Sequence, residues 1–260
     1  MKSILFTALL SVLIFSGCNF SLTSCTRGSG TTVSKEVKVA AFNAVILKTS
    51  GNVSISQDSI ESLVIETDDN VLPELFSEVK NGKLYLCSNG SISPTKLNYK
   101  ISMKNIQGLR IDGSGQISLT SPINTNGTFH LYIGGSGNIK LKEVFAGKVD
   151  GEISGSGSIF MSGKAKEADY EINGSGDINA IDLETLNTEV KINGSGNCYV
   201  DAKENLNIEI NGSGDVYFKQ RPAKDYNSSI NGSGRIKEYK KWFFKFSYRH
   251  TNIFRTSDDS

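Results

Sequence analysis

The triplet Gly-Ser-Gly recurs along residues 113–234, as Gly113-Ser114-Gly115, Gly135-Ser136-Gly137, Gly155-Ser156-Gly157, Gly174-Ser175-Gly176, Gly194-Ser195-Gly196, Gly212-Ser213-Gly214 and Gly232-Ser233-Gly234. A spacing of about 20 residues is that of a unit too small to bury its own apolar face, which must stack on its neighbours. Two and four residues before the first Gly stand pairs such as Leu109/Ile111, Leu131/Ile133, Val190/Ile192 and Ile208/Ile210. Four and six residues after it stand Ile117/Leu119, Ile139/Leu141, Ile159/Met161, Cys198/Val200 and Val216/Phe218. Alternation on both sides of a glycine corner predicts strand, turn, strand, with one face of each strand buried.

A propeller blade needs about twice this period, whereas a parallel β-helix needs one coil per repeat. The expected fold is therefore all-β, a right-handed parallel β-helix or solenoid, since parallel crossovers are overwhelmingly right-handed. The same frame extends into sequence without the triplet, placing corners at Thr49, Thr67 and Ser88. On that reading the solenoid spans 36–240 and holds about ten coils, a rod on the order of 50 Å long. The glycines are expected to supply positive φ at the corners and to leave room for close stacking. Asn173, Asn193, Asn211 and Asn231, each preceding a triplet, are expected to bond from coil to coil.

Other uses of a glycine-rich loop fit poorly. Phosphate-cradling loops lead into a helix, but strand-like sequence follows every triplet here. Calcium-binding nonapeptide repeats have half this period. The slot that holds Asp in them carries Gln116, Asn138, Ser158, Asp177, Asn197, Asp215 and Arg235 in this chain. No metal or other cofactor is expected. A ligand lying along the flat, hydroxyl-rich ridge of corners is compatible with the pattern.

Outward positions offer a second place for function. Three and five residues before the first Gly, successive coils present Tyr132/His130, Glu152/Asp150, Glu171/Asp169 and Lys191/Glu189. Asp150, Glu152, Asp169, Glu171 and Glu189 then form an acidic candidate ligand patch with neighbours about 5 Å apart. Paired carboxylates are the machinery of glycoside hydrolysis. The plainer expectation is a solvated face that discourages lateral strand pairing. The chain has only two histidines, His130 and His250, and no Ser/His/Asp or Cys/His grouping stands out. Lys+Arg 28 against Asp+Glu 27 leaves no basic field for nucleic acid.

The ends read differently. Residues 1–17 form a short charged start and an apolar run of signal-peptide type. "IFSGC" (Ile14–Cys18) resembles a bacterial lipobox, with Phe15 where Leu is usual, and the resemblance implies lipidation of Cys18. An ordinary secretory signal cleaved near Gly17 is the alternative. Residues 18–35 are expected to be a flexible tether and 241–260 an aromatic and basic cap with a frayed tail. Cys25, Cys87 and Cys198 give neither a disulfide framework nor a zinc spacing; Cys87 and Cys198 are expected in the core.

Taken together, "RGSG" (Arg27–Gly30), "FNAVILKTSGNVSI" (Phe42–Ile55), "NGKLYL" (Asn81–Leu86) and the coils from "LRIDGSGQISL" (Leu109–Leu119) resemble the bacterial head GIN domain family of auto-transporter adhesin type, over about residues 27–240. The resemblance implies an exported, β-helix-like protein with no agreed catalytic residues. The expected function is a lipid-anchored, non-catalytic interaction module of the cell envelope, at the outer membrane on a side left open. Its expected partners are the membrane, through the anchor, and a glycan or an envelope or surface protein. The alternatives are a polysaccharide-active enzyme using the acidic patch and a structural or stress-related envelope protein.

Overall fold

The computed structural model describes residues 25–240; the expected signal sequence, Cys18 and the expected 241–260 cap lie outside them. The described residues are nearly all β, with one short 3-10 turn at Leu72–Glu74. Parallel pairing brings equivalent residues into columns. Ile111, Ile133, Ile153, Ile172, Ile192, Ile210 and Ile230 follow one another in register before the corner. Ile117, Ile139, Ile159, Ile178, Cys198, Val216 and Ile236 do so after it. Most of these side chains are fully buried, so each coil completes its core with the coil above and below. Burying one such aliphatic side chain is worth roughly 1.5–3 kcal/mol, and the columns repeat that gain at every level. The chain is a β-solenoid of about seven turns.

The corners stack backbone on backbone. The N–H groups of Ser136, Ser156, Ser175, Ser195, Ser213 and Ser233 each donate to the carbonyl of the first glycine one coil away, at 3.0–3.1 Å. A Cβ added to Gly135 would lie 2.1 Å from the Gly113 oxygen, and one added to Gly176 would lie 1.9 Å from the Gly157 oxygen. None of the triplet glycines is among the positive-φ residues, which corrects one of the two expected reasons for glycine. Close approach alone demands it. Left-handed glycines stand instead at two stretches outside the triplet series, Thr49-Ser50-Gly51, where Gly51 has φ 110°, and Ser88-Asn89-Gly90, where Gly90 has φ 69°.

A third side, invisible in the repeat frame, completes each turn. Ile123, Val144, Gly163 and Leu183 pair in register there, beside Thr125, Ala146, Ala165, Thr185 and Ala202. Register shifts cluster between the second and third sides, where coils of unequal length are reconciled. Gly163, at φ 131°, absorbs one of them.

The N-terminal part departs from the ten sequential coils expected. The Thr49 corner holds: Ala44–Leu47 and Asn52–Gln57 pair parallel to Gly108–Ile111 and Gln116–Leu119. The Thr67 corner does not exist, because Ser62–Asp68 runs antiparallel to Leu97–Met103 and to Thr32–Val37. Leu63 and Ile65 are buried as foreseen, but in an antiparallel lid over the open end of the stack. Leu84 and Leu86 stack on Val45 and Leu47, yet Tyr99 and Ile101 occupy the places expected for Ile92 and its successor. Ile92 pairs instead with Thr26. In space the coil of residues 83–103 lies outside that of 44–57, which contacts 108–119 on its other side.

Strands Thr26–Arg27 and Thr32–Val37 occupy ground expected to be tether, because a buried carboxylate holds them. Asp68 is fully buried and accepts hydrogen bonds from the Thr95 hydroxyl at 2.5 Å, the Gly30 N–H at 2.8 Å and the Thr95 N–H at 2.8 Å. The Thr95 hydroxyl foremost, with these N–H groups, overrides burial and holds the Asp68 carboxyl below its ordinary range. Cys198 is buried in the core, Cys87 is half-buried and Cys25 is exposed. At Gly151 the inward column lacks a side chain, and the Tyr170 ring on the next coil fills the space, its Cδ1 3.2 Å from where a Cβ would be. Its hydroxyl has no protein partner, and burial pushes it well above the ordinary phenol pKa.

Three outcomes follow for purified protein in denaturant titrations. Gly176→Ala forces the backbone of two coils apart and lowers stability by about 2–3 kcal/mol, while Ser175→Ala, on the exposed side of the same corner, changes it by less than about 0.5 kcal/mol. Tyr170→Phe removes a buried, unpaired hydroxyl and raises stability by about 1 kcal/mol. Because the folded pKa of Asp68 is depressed, its contribution is fully present above the ordinary carboxylate value of about 3.9 and is lost as pH falls through the lower folded value. Asp68→Asn is accordingly less stable at pH 7, and its deficit shrinks below about pH 4.

Candidate functional site

The sheet that precedes the corners turns one residue in two outward, and the parallel register converts this alternation into two columns. His130, Asp150, Asp169, Glu189, Asn207 and Asn227 form one; Tyr132, Glu152, Glu171, Lys191, Glu209 and Ser229 form the other. All five acidic candidates thus lie together on one open face, in adjacent rows about 4.8 Å apart. They are not a bare cluster of acids. Asp150 meets His130 Nδ1 at 2.9 Å, and Asp169 is ion-paired to Lys148, which its hydrogen bond holds above the ordinary lysine pKa. Glu152 accepts from the Ser154 hydroxyl at 3.0 Å, Glu171 accepts from the Asn193 amide at 3.3 Å, and Glu189 borders a shallow hollow with Asn207.

This arrangement bears on chemistry. A glycosidase keeps one of its two carboxyls protonated, commonly in an apolar enclosure, next to an ionised partner. Asp150 and Asp169 are each about half exposed and each faces a basic group, which is the setting of a solvated, charge-balanced surface. Most of the face is polar, apart from the row of Ala44 and Ile46 near its N-terminal end. Rows carrying Lys83, Tyr85, Arg110 and Tyr132 precede the acidic rows, and rows of amides at Asn207 and Asn227 follow them.

The ridge of corners is built chiefly to hold itself together. Asn193 donates to Asn173 at 2.8 Å, Asn211 to Asn193 at 3.1 Å and Asn231 to Asn211 at 3.1 Å, forming the expected ladder. In the slot that calcium repeats fill with Asp, side-chain oxygens are taken by the chain. Asp177 accepts the Asn197 N–H at 2.7 Å, Asn197 the Asp215 N–H at 3.0 Å and Asp215 the Arg235 N–H at 2.9 Å. Burial alone would raise the Asp215 carboxyl, but the Arg235 guanidinium and Tyr217 hydroxyl lower it on balance. Among the described residues, no group of three His, Cys, Asp or Glu side chains is placed to hold a metal ion.

Two outer surfaces escaped the sequence reading. On the sheet after the corners, Tyr199 stacks on Tyr217 with centroids 4.8 Å apart, and Tyr239 meets Tyr199 edge-on. The signal was present in the fifth position after the first glycine, which holds Phe160, Tyr199 and Tyr217 in three of the seven repeats. On the third side, Phe145 and Leu186 stand exposed around a groove that also includes Lys164 and Lys166.

Solved structures share the architecture. A putative adhesin from Bacteroides fragilis is 24% identical, with a TM-score of 0.76 over 82% of this chain and 99% of its own. A putative lipid binding protein from Parabacteroides distasonis is 24% identical, with a TM-score of 0.69 over 84% of this chain and 100% of its own. A putative adhesin from the same organism is 26% identical, with a TM-score of 0.66 over 83% and 100%. A comparison with curated proteins finds no match. The sequence profile of the putative auto-transporter adhesin, head GIN domain, matches residues 41–222, well over half of the chain. By that match the chain belongs to the head GIN domain family of putative auto-transporter adhesins.

Proposed function

We propose that the protein is a lipid-anchored, non-catalytic interaction module of the bacterial cell envelope, adhesin-like in its role and carried on the outer membrane. The observation that supports this most is the long outer sheet face, on which charges and amides are set in fixed rows by backbone register rather than by flexible loops. Such a face presents a rigid array to a glycan or a surface protein at little entropic cost on binding. The lipobox at Ile14–Cys18 supports the anchor, since acyl chains contribute about 0.8 kcal/mol per buried methylene and more than one chain gives stable attachment. Among the described residues the first strand is Thr26–Arg27, so the tether in this reading is the stretch that precedes it after Cys18.

The anchor is tested by labelling cells with radioactive palmitate. The native chain takes up label and sediments with membranes, whereas Cys18→Ser takes up none and becomes soluble; retention of both properties in the variant overturns the anchor. Protease added to intact cells then separates surface display from burial behind the outer membrane. The non-catalytic reading is tested on a polysaccharide panel with purified protein. Release of reducing ends that disappears in Asp150→Asn or Asp169→Asn would establish the enzyme alternative.

A further inference from the structure

The N-terminal end of the outer sheet face contains a trough of about 270 Å³. It arises because two neighbouring rows lack bulk. In successive rows the outward pairs are Lys83/Tyr85, Ala44/Ile46, Gly108/Arg110 and His130/Tyr132. Ala44 and Gly108 leave the middle low, with Ile46 making the rest of an apolar floor. The flanking rows stand taller, and Arg110 reaches from its own row to lie against the Tyr132 ring of the next. Lys48 Nζ lies 5.4 Å from the Tyr85 centroid, and the Arg110 guanidinium lies 3.9 Å from that of Tyr132. Arg110 is steadied by Asp112, whose Oδ1 accepts from its Nε at 2.8 Å. Lys83 is exposed at one margin, His130 at another, and Asn43 donates to Gln107 at 2.7 Å beside them.

An apolar floor, the Tyr132 ring on one flank and a positive rim in a shallow, open trough define the ligand by chemistry. An acyl chain laid there would keep much of its length in water. A pyranose needs only one apolar face covered, and its hydroxyls favour the wet rim. The cations Lys83 and Arg110 call for a negative group on that sugar. The acidic rows beginning at Asp150 and Glu152 lie immediately beyond His130 and repel a polyanion extended along the face. We infer that this trough binds a single acidic sugar residue of a glycan, with the ring on Ala44 and Ile46 and the carboxylate toward Lys83 and Arg110. The inference rests on the interaction-module reading above and gives that module a ligand class and a place on the face.

The test is titration of the full chain with oligosaccharides ending in glucuronate, galacturonate or sialate, each beside its neutral methyl ester. At least one acid form binds, and about tenfold more tightly than its ester. Lys83→Glu, a change at an exposed side chain, weakens that binding by about tenfold or more, and Gly108→Trp, which fills the trough, abolishes it. Asp169→Asn, two rows beyond His130, leaves it unweakened. The inference is overturned if no acid form binds, if esters bind equally, or if Lys83→Glu has no effect. Capture by phosphatidylglycerol vesicles that is lost in Lys83→Glu, without sugar binding, assigns the trough to lipid headgroups and also overturns it. Attachment of the chain to whole cells is measured in parallel. Attachment that survives both trough variants sinks the sugar site and leaves the module reading standing; absence of any attachment by the native chain sinks the module reading itself.

Discussion

The contact on which this protein depends is that of one glycine carbonyl with the serine N–H one coil away. Parallel strands sit about 4.8 Å apart, and a corner can keep that spacing only if nothing projects between successive levels. At Gly155, Gly174 and Gly194 a methyl group would lie 2.0 Å from the carbonyl oxygen of the adjacent corner. The corner hydrogen bonds therefore exclude every other residue type at those positions. Once the corners are pinned, the isoleucine columns on both sides follow, since register set at a corner carries along each strand. The outward columns follow in turn, and the order of charge on the surface is a by-product of the order of glycine inside.

That dependence explains how much could be read from the sequence. The Ile172 and Ile178 positions on either side of the Gly174-Ser175-Gly176 corner are strict because packing punishes any slip, so the two sheets, their inward faces and the column order of Asp150, Asp169 and Glu189 were all legible. The φ argument for glycine was not correct, because the corners turn within ordinary backbone conformations and steric closeness does the selecting. The third side was illegible for the opposite reason. Its residues are short or mixed, such as Thr125, Ala146 and Ala165, and variable coil length shifts their phase from one repeat to the next.

The N-terminal lid was misread for a different cause. Leu63 and Ile65 alternate as a solenoid strand would, and alternation reports a buried face without reporting direction. A second break in the parallel order was signalled by Asn81-Gly82, a dipeptide suited to a tight hairpin. Both residues have positive φ, at 51° and 70°, and they join the antiparallel strands Leu75–Lys80 and Lys83–Ser88. "RGSG" was likewise a triplet with another task. Gly30 directs its N–H to the Asp68 carboxylate, so this glycine belongs to a latch instead of a stack. The trough depends on Ala44 and Gly108 becoming neighbours, which the non-sequential order of coils brings about and which no repeat frame contains.

The same order of coils bears on how the molecule is made. Residues 44–57 leave the ribosome before either of the segments that flank them, 83–103 and 108–119. The first coil to be synthesised is thus an inner coil, with both hydrogen-bonding edges open until the later segments arrive. The triplet coils face no such wait, since each can settle on the one just completed. The end nearest the expected membrane anchor therefore cannot be closed before residues 83–103 and the lid strand they pair with have both been made.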